Sequence, residues 1–197
     1  MVKEIYLVRH GHIDTGGEKR YIGQSDIPLD EKGEEQAKAL QDFFSSLDIQ
    51  TVFTSPLQRC IQTAKMICEP KKLPLSIQKD FCEIDMGEWE GLAQSLIQQN
   101  NPETFLQRGR DIKNFTPPHG ESFAQLSKRV LKAFHEIAIT NQNSIVIVAH
   151  AGVNRMILRY ILDKKFEDIF TIEQPYGSVY KLTFEHFKQR FLCKRVL

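Results

Sequence analysis

Two histidines and two arginines stand where short apolar runs of this sequence give way to glycine or to the start of a helical pattern. Arg9-His10-Gly11 follows Ile5-Tyr6-Leu7-Val8. Ser55 to Arg59 follows Thr51-Val52-Phe53-Thr54, and His150-Ala151-Gly152 follows Ser144-Ile145-Val146-Ile147-Val148-Ala149. Ligands of open α/β sheets sit outside the carboxyl ends of the strands. Three such stretches at one sheet edge would therefore gather His10, His150, Arg9 and Arg59 into an anion site. A single histidine at a strand end is more often structural, but Gly11 lets the backbone bend close to a ligand. Arg59 falls in the first turn of an expected helix, where a cation opposes the macrodipole unless an anion lies between it and the amides. The guanidinium fork suits such an anion better than an ammonium does.

Other residues leave the chemistry open. Glu83 and Asp85, within Phe81-Cys82-Glu83-Ile84-Asp85-Met86-Gly87-Glu88-Trp89-Glu90-Gly91, read either as a solvated acidic loop or as catalytic carboxylates. His10-x-His12 with Asp14 also looks like the start of a metal-dependent hydrolase. That reading needs an eight-stranded barrel of about 250 residues, for which this chain shows too few strands, and flanking arginines would repel a dication. No metal or other cofactor is expected.

The elements that must position these residues follow from periodicity. The apolar runs read as strands buried on both faces. Residues 10–29 carry Gly11, Gly16, Gly17, Gly23 and Pro28 and form a long loop, of the length that is usually functional or disordered. Asp30 caps a helix running to about Leu47, with Ala37, Leu40, Phe44 and Leu47 on one face. Ser55-Pro56 reads as an N-cap followed by proline at the first helical position, opening a helix to about Cys68. A helix is expected near 92–108. Another over 121–140 buries Phe123, Leu126, Val130, Phe134 and Ile137, and one after Gly152 turns Val153, Met156, Ile157, Tyr160 and Ile161 inward. Residues 178–184 and 190–196 read as a strand pair. The sum is an α/β fold of three layers, with a mainly parallel central sheet and helices on both faces.

Composition narrows the partners. The 197 residues suit one domain, 1–197. A net charge of +1 gives no field for nucleic acid or a membrane surface, and no apolar stretch approaches the ~20 residues that span a bilayer. Cys60, Cys68, Cys82 and Cys193 fit neither metal pairs nor a secreted disulfide framework. Met1-Val2-Lys3-Glu4 runs straight into a strand without a leader. The expectation is a cytoplasmic protein, alone or as a homodimer, acting on a small-molecule phosphate ester.

Leu7-Val8-Arg9-His10-Gly11 resembles the R-H-G motif of the histidine phosphatase superfamily, the phosphoglycerate mutase-like proteins. Five further stretches resemble that family's motifs in order: Arg20 to Leu29, Thr54 to Ala64, Glu83 to Gly91, Gly120-Glu121-Ser122-Phe123 and Val148 to Gly152. The resemblance implies that His10 becomes a phosphohistidine and that Arg9, Arg59 and His150 clamp the phosphoryl group. It implies that Glu83 is general acid and then base, and that Gly11, Arg20, Tyr21, Gly23, Gln24 and Ala151 line the substrate. Two positions depart from the pattern: His12 stands where the family commonly has Glu, and Gly16 where it often has Asn. Only a short segment separates Glu83 from Gln107, without the inserts that exclude water in the mutases, which favours hydrolysis over transfer. Within the superfamily, Arg20 to Leu29, Gly120 to Phe123 and the terminal strands look most like the α-ribazole phosphatases of cobalamin biosynthesis. A broad sugar or nucleotide phosphatase, a cofactor-dependent phosphoglycerate mutase and a phosphate-binding pseudoenzyme stand as alternatives.

Overall fold

The computed structural model describes residues 4–185 and 190–197; Met1 to Lys3 of the expected leaderless start lie outside them. The strands are β1 (Glu4–Arg9), β2 (Thr51–Thr54), β3 (Leu75–Ile77), β4 (Ile145–Ala149), β5 (Val179–Glu185) and β6 (Arg190–Arg195). The helices are α1 (Glu31–Ser45), α2 (Gln58–Cys68), α3 (Gln94–Asn100), α4 (Pro102–Arg110), α5 (Phe123–Thr140) and α6 (Ala151–Ile161). The sheet order is β3-β2-β4-β1-β5-β6. The first four strands are parallel, and β5 and β6 extend them antiparallel.

Strand alternation divides the interior in two. Ile5, Leu7, Ile145 and Ile147 pack with Leu126, Val130 and Phe134 of α5 and with Met156 and Ile157 of α6. Tyr6, Val8, Val146 and Val148 pack on the other face with Leu40 and Phe44 of α1 and Cys60, Ala64 and Ile67 of α2. Each buried Val, Leu, Ile, Phe or Met among them contributes about 1.5–3 kcal/mol by leaving water. Truncating Leu7 to alanine is therefore expected to cost about 2–5 kcal/mol, cavity included.

Register places the site. Arg9 of β1 lies opposite Ala149 of β4, and His10 N donates to Ala149 O at 3.0 Å. Thr54 of β2 lies opposite Val148, and Ser55 N donates to Val148 O at 3.1 Å. His10, Ser55 and His150 therefore leave adjacent strands at one edge.

Several expectations are corrected. Ser55 does not cap α2, which starts at Gln58; its hydroxyl meets His150 Nε2 at 2.7 Å. The end of α2 is covered instead by Asp26, whose Oδ1 accepts from Gln58 N at 2.6 Å. The single helix over 92–108 is two, since Pro102 opens α4 and lacks the N–H to continue α3. Strand β3 is an addition to the expected strands, too short and too exposed to carry an apolar pattern. Tyr160 is exposed rather than inward, its ring standing against that of His135.

Candidate active site

The loop after β1 is closely packed. A Cβ on Gly11 would lie 2.4 Å from Gly33 O, so this turn can sit on the first turn of α1 only as glycine. Beyond it, Arg59 Nη2 donates to Gly23 O at 2.7 Å and Nη1 to Ser25 O at 2.6 Å. The amides of Gly23, Gln24 and Ser25 all donate to the carboxylate of Glu90. The loop that reads as irregular is thus fixed by charged groups from two other parts of the chain.

His10 is buried. Its Nδ1 lies 2.7 Å from Gly11 O. A backbone carbonyl only accepts, so Nδ1 carries the proton and Nε2 keeps its lone pair. Burial holds the imidazole well below its ordinary pKa, with Arg59 and Arg9 adding to the effect and the Gly11 carbonyl opposing it. The ring is neutral at physiological pH, the form in which imidazole is a nucleophile.

The expected partners surround it. His150 is fully buried, and its ring centroid lies 5.1 Å from that of His10. Its Nδ1 accepts from Arg59 Nε at 3.3 Å, and Nε2 faces the Ser55 hydroxyl. Burial, then Arg59 and His10, keep it neutral as well. Cys60 Sγ packs 3.4 Å from His150 Nε2. Burial pushes that thiol far above its ordinary pKa, and all four cysteines are free. Arg59 uses three of its five N–H groups in these contacts, which leaves two for an anion.

Arg9 donates through Nη1 to Gln174 O and lies over the Tyr176 ring, 3.7 Å from its centroid. Its Nε is buried without an acceptor. Burial lowers its pKa from the ordinary guanidinium value, while Tyr176 and Glu83 oppose that. Such a donor is well matched to a phosphoryl oxygen.

Glu83 is buried, its Oε2 accepting from Gly152 N at 2.9 Å and its Oε1 from Ile84 N at 2.9 Å. The Gly152 amide, in the first turn of α6, thus serves Glu83. A Cβ on Gly152 would lie 2.3 Å from Glu83 Oε1, so α6 can present that amide only through glycine.

Arg9, Glu83 and Gly152 border a cavity of about 380 Å³, whose walls also include His12, Tyr21, Ala151 and Arg155. Of the expected substrate residues, Arg20, Tyr21 and Ala151 line this cavity, while Gly23 and Gln24 are not part of its wall. Arg20 donates to Thr15 O, Gly91 O and Glu18, strapping the loop. Gln24 donates to Glu83 O at 3.3 Å. Gly23 is packed so tightly that a Cβ would lie 2.2 Å from Ile84 O. Tyr21 is buried against Trp89. Residues that sequence reasoning missed include Tyr176, Arg108 and Arg155. Tyr176 and Arg108 lie outside the motifs, and Arg155, three residues past Gly152, reads as an ordinary helical arginine until the fold turns it to the cavity.

The rival metal set does not converge. His12 Nδ1 is held by Asp30 Oδ2 at 2.5 Å, and Asp14 accepts from Gly16 N. Among the described residues no group of three His, Cys, Asp or Glu is placed to hold a metal ion. Among them, too, no helix is long and apolar enough to cross a membrane.

A two-sided parallel sheet with two histidines and two arginines at its carboxyl edge agrees with a family model. The chain belongs to the histidine phosphatase superfamily (branch 1), whose model matches residues 5–196. It is 32% identical over 183 residues to human 6-phosphofructo-2-kinase/fructose-2,6-bisphosphatase 1, which covers 92% of this chain but only 37% of that relative. Among solved structures, the α-ribazole phosphatase from Shigella flexneri superposes with a TM-score of 0.88 at 23% identity, covering 98% of this chain and 95% of that one. The mycobacterial glucosyl-3-phosphoglycerate phosphatase superposes with a TM-score of 0.86 at 21% identity, covering 99% and 97%. At these identities the structural likeness concerns the fold.

Proposed function

We propose that this chain hydrolyses phosphomonoesters through a covalent phosphohistidine at His10, without a metal ion. The observation that carries the reading is the state of His10: neutral, with Nδ1–H on Gly11 O and Nε2 free, beside Arg9, Arg59 and His150. Nε2 attacks phosphorus in line, and the bond from phosphorus to the ester oxygen breaks. Glu83 gives that oxygen a proton as it leaves. Water then attacks the phosphohistidine, Glu83 takes its proton, and inorganic phosphate departs. Phosphoryl transfer asks mostly for positioning and charge stabilisation. Here the charge comes from the buried guanidinium groups of Arg9 and Arg59, and one such donor is typically worth about 10²–10³ in rate.

For the substrate we propose α-ribazole 5′-phosphate, which the Arg20 to Leu29 motif and the Shigella flexneri neighbour support. One observation favours a second reading, a sugar bisphosphate. Arg108 and Arg155 both border the cavity and lie near Phe170, 5.6 and 5.4 Å from its ring centroid, and neither is paired with a carboxylate among the described residues. Burial lowers the pKa of both guanidinium groups, a cost that a second anionic group on the substrate would offset.

The test is brief exposure to a phosphomonoester in EDTA, followed by analysis of the protein. Acid-labile, base-stable phosphate is expected on His10, with turnover abolished in His10→Ala. Equal turnover by wild type and His10→Ala would end the mechanism. Competition between α-ribazole 5′-phosphate and sugar bisphosphates, read as kcat/KM, decides the substrate. Transfer activity dependent on 2,3-bisphosphoglycerate would replace hydrolysis by the mutase reading.

A further inference from the structure

Glu83 is gripped at both ends. Its carboxylate rests on two amides, and its backbone is held by a residue that no motif brought forward. Arg129, on the face of α5 turned toward the segment before Glu83, donates from Nη1 to Asp80 O at 2.7 Å and to Cys82 O at 2.8 Å. From Nη2 it donates to Glu83 O at 3.1 Å. The same guanidinium makes a two-point pair with Glu121, Nε to Oε1 and Nη2 to Oε2, each at 2.8 Å. Glu121 also accepts from Asp85 N at 3.4 Å, and its own amide donates to Asp85 O at 2.8 Å. Arg129 and Glu121 are 23% and 15% exposed, so the pair is held away from bulk water.

This pattern differs from an ordinary ion pair. A surface pair contributes little, whereas here one planar fork collects three carbonyls from a four-residue stretch and is itself oriented by a carboxylate. Carbonyls drawn to one cation fix the path of the chain through Asp80 to Glu83. The direction in which the Glu83 side chain leaves that path is then set. Among the described residues, the only other side chain donating to Glu83 O is the exposed Gln24, at 3.3 Å.

We infer that Arg129, oriented by Glu121, is the positioning residue for Glu83, fixing its carboxyl group against the departing oxygen. The inference rests on the proposed role of Glu83 as acid. Arg129 touches neither the substrate nor the reacting atoms. Its removal is felt only where a proton must be delivered, because misplacing a catalytic group by about 1 Å can cost about 10²-fold in rate.

The experiment measures kcat and KM for a series of phosphomonoesters, from p-nitrophenyl phosphate to simple alkyl phosphates, in wild type, Glu83→Gln, Arg129→Gln, Arg129→Lys and Glu121→Gln. Arg129→Gln is expected to lose about 10-fold more on alkyl esters than on p-nitrophenyl phosphate, in kcat rather than KM, since a good leaving group needs little protonation. The double variant Glu83→Gln with Arg129→Gln is expected to be no slower on alkyl esters than Glu83→Gln alone, as for residues acting as a unit. If Arg129→Gln does not fold, Arg129→Lys and Glu121→Gln, which leave a cation and a neutral acceptor in place, carry the same comparison. Should Glu83→Gln show the leaving-group effect while the Arg129 and Glu121 variants slow every ester equally, or should the double variant be additive, the positioning role is overturned. Uniform slowing by Glu83→Gln would overturn the acid role first and this inference with it.

Discussion

The amide of Gly152 donates to Glu83 Oε2 at 2.9 Å, joining the first turn of α6 to a carboxylate far earlier in the chain. No side chain fits between them, since a Cβ at this position would stand 2.3 Å from Glu83 Oε1. Gly152→Ala is therefore expected to displace the carboxylate without disturbing the helix, in which alanine is the better former. Activity on alkyl phosphates should fall by about 10²-fold, within the range attributed to a placed acid. Circular dichroism should stay unchanged. Retention of full activity would detach Glu83 from the chemistry.

Burying two neutral imidazoles couples stability to pH. His10 and His150 are held well below the ordinary histidine pKa, in both cases chiefly by burial and then by Arg59. In the unfolded chain they protonate near pH 6.5. Above that value neither state binds the extra protons and stability is indifferent to them. Below it the unfolded chain takes up protons that the native chain refuses. Stability is then lost at up to about 1.4 kcal/mol per pH unit for each group until the native pKa is reached. Urea midpoints measured from pH 7.5 to 5 should fall steadily below about 6.5, and less steeply in His10→Gln. A flat profile would mean that the imidazoles accept protons in place.

The strand-end motifs were legible because their cause is local. Wholly apolar runs announce strands covered on both faces, and parallel register then brings Arg9 opposite Ala149 without further information. The helix break at Asn101-Pro102 has a local cause too, since proline favours the first helical position, although the apolar spacing of the segment reads as one continuous helix. The role of Ser55 was not. Its sequence is that of an N-cap, but a tertiary partner, His150, claims the hydroxyl, while Asp26 covers α2 from another loop. Arg129 was equally hidden. An arginine on a helix reads as solvated until a fold brings the carbonyls of Asp80, Cys82 and Glu83 to it.

His12 gives a further test, because it departs from the family pattern. Its Nδ1 lies 2.5 Å from Asp30 Oδ2, while Asp30 Oδ1 accepts from Gly33 N as the cap of α1. The ring also stands edge-on to Tyr176, 4.9 Å between centroids, and Tyr176 carries Arg9. Restoring the family's glutamate would set two carboxylates against each other at a helix cap. His12→Glu is expected to destabilise the fold by about 1 kcal/mol, the modest figure suited to partly solvated charges, or about 2–4 °C in Tm at this size. Adding Asp30→Asn should recover most of the loss, because asparagine still caps. A rise in Tm on His12→Glu alone would show that the imidazole gives no support there.

Arg108 and Arg155 separate the two substrate readings. Both guanidinium groups face the same cavity as Glu83 and lie near Phe170. A hydrogen bond to a charged group contributes about 1.5–3 kcal/mol, so losing one contact to a second phosphate should raise KM by about 10–100-fold. An ester whose leaving group is neutral offers no such contact. Replacing either arginine by alanine is thus expected to raise KM for a sugar bisphosphate by at least about 10-fold, with a far smaller change for α-ribazole 5′-phosphate. kcat should move little for either, because the contact forms in the ground state and persists through the transition state. Equal losses on both esters would show that the two arginines shape the cavity wall rather than bind a second anion, and the bisphosphate reading would then lose its support.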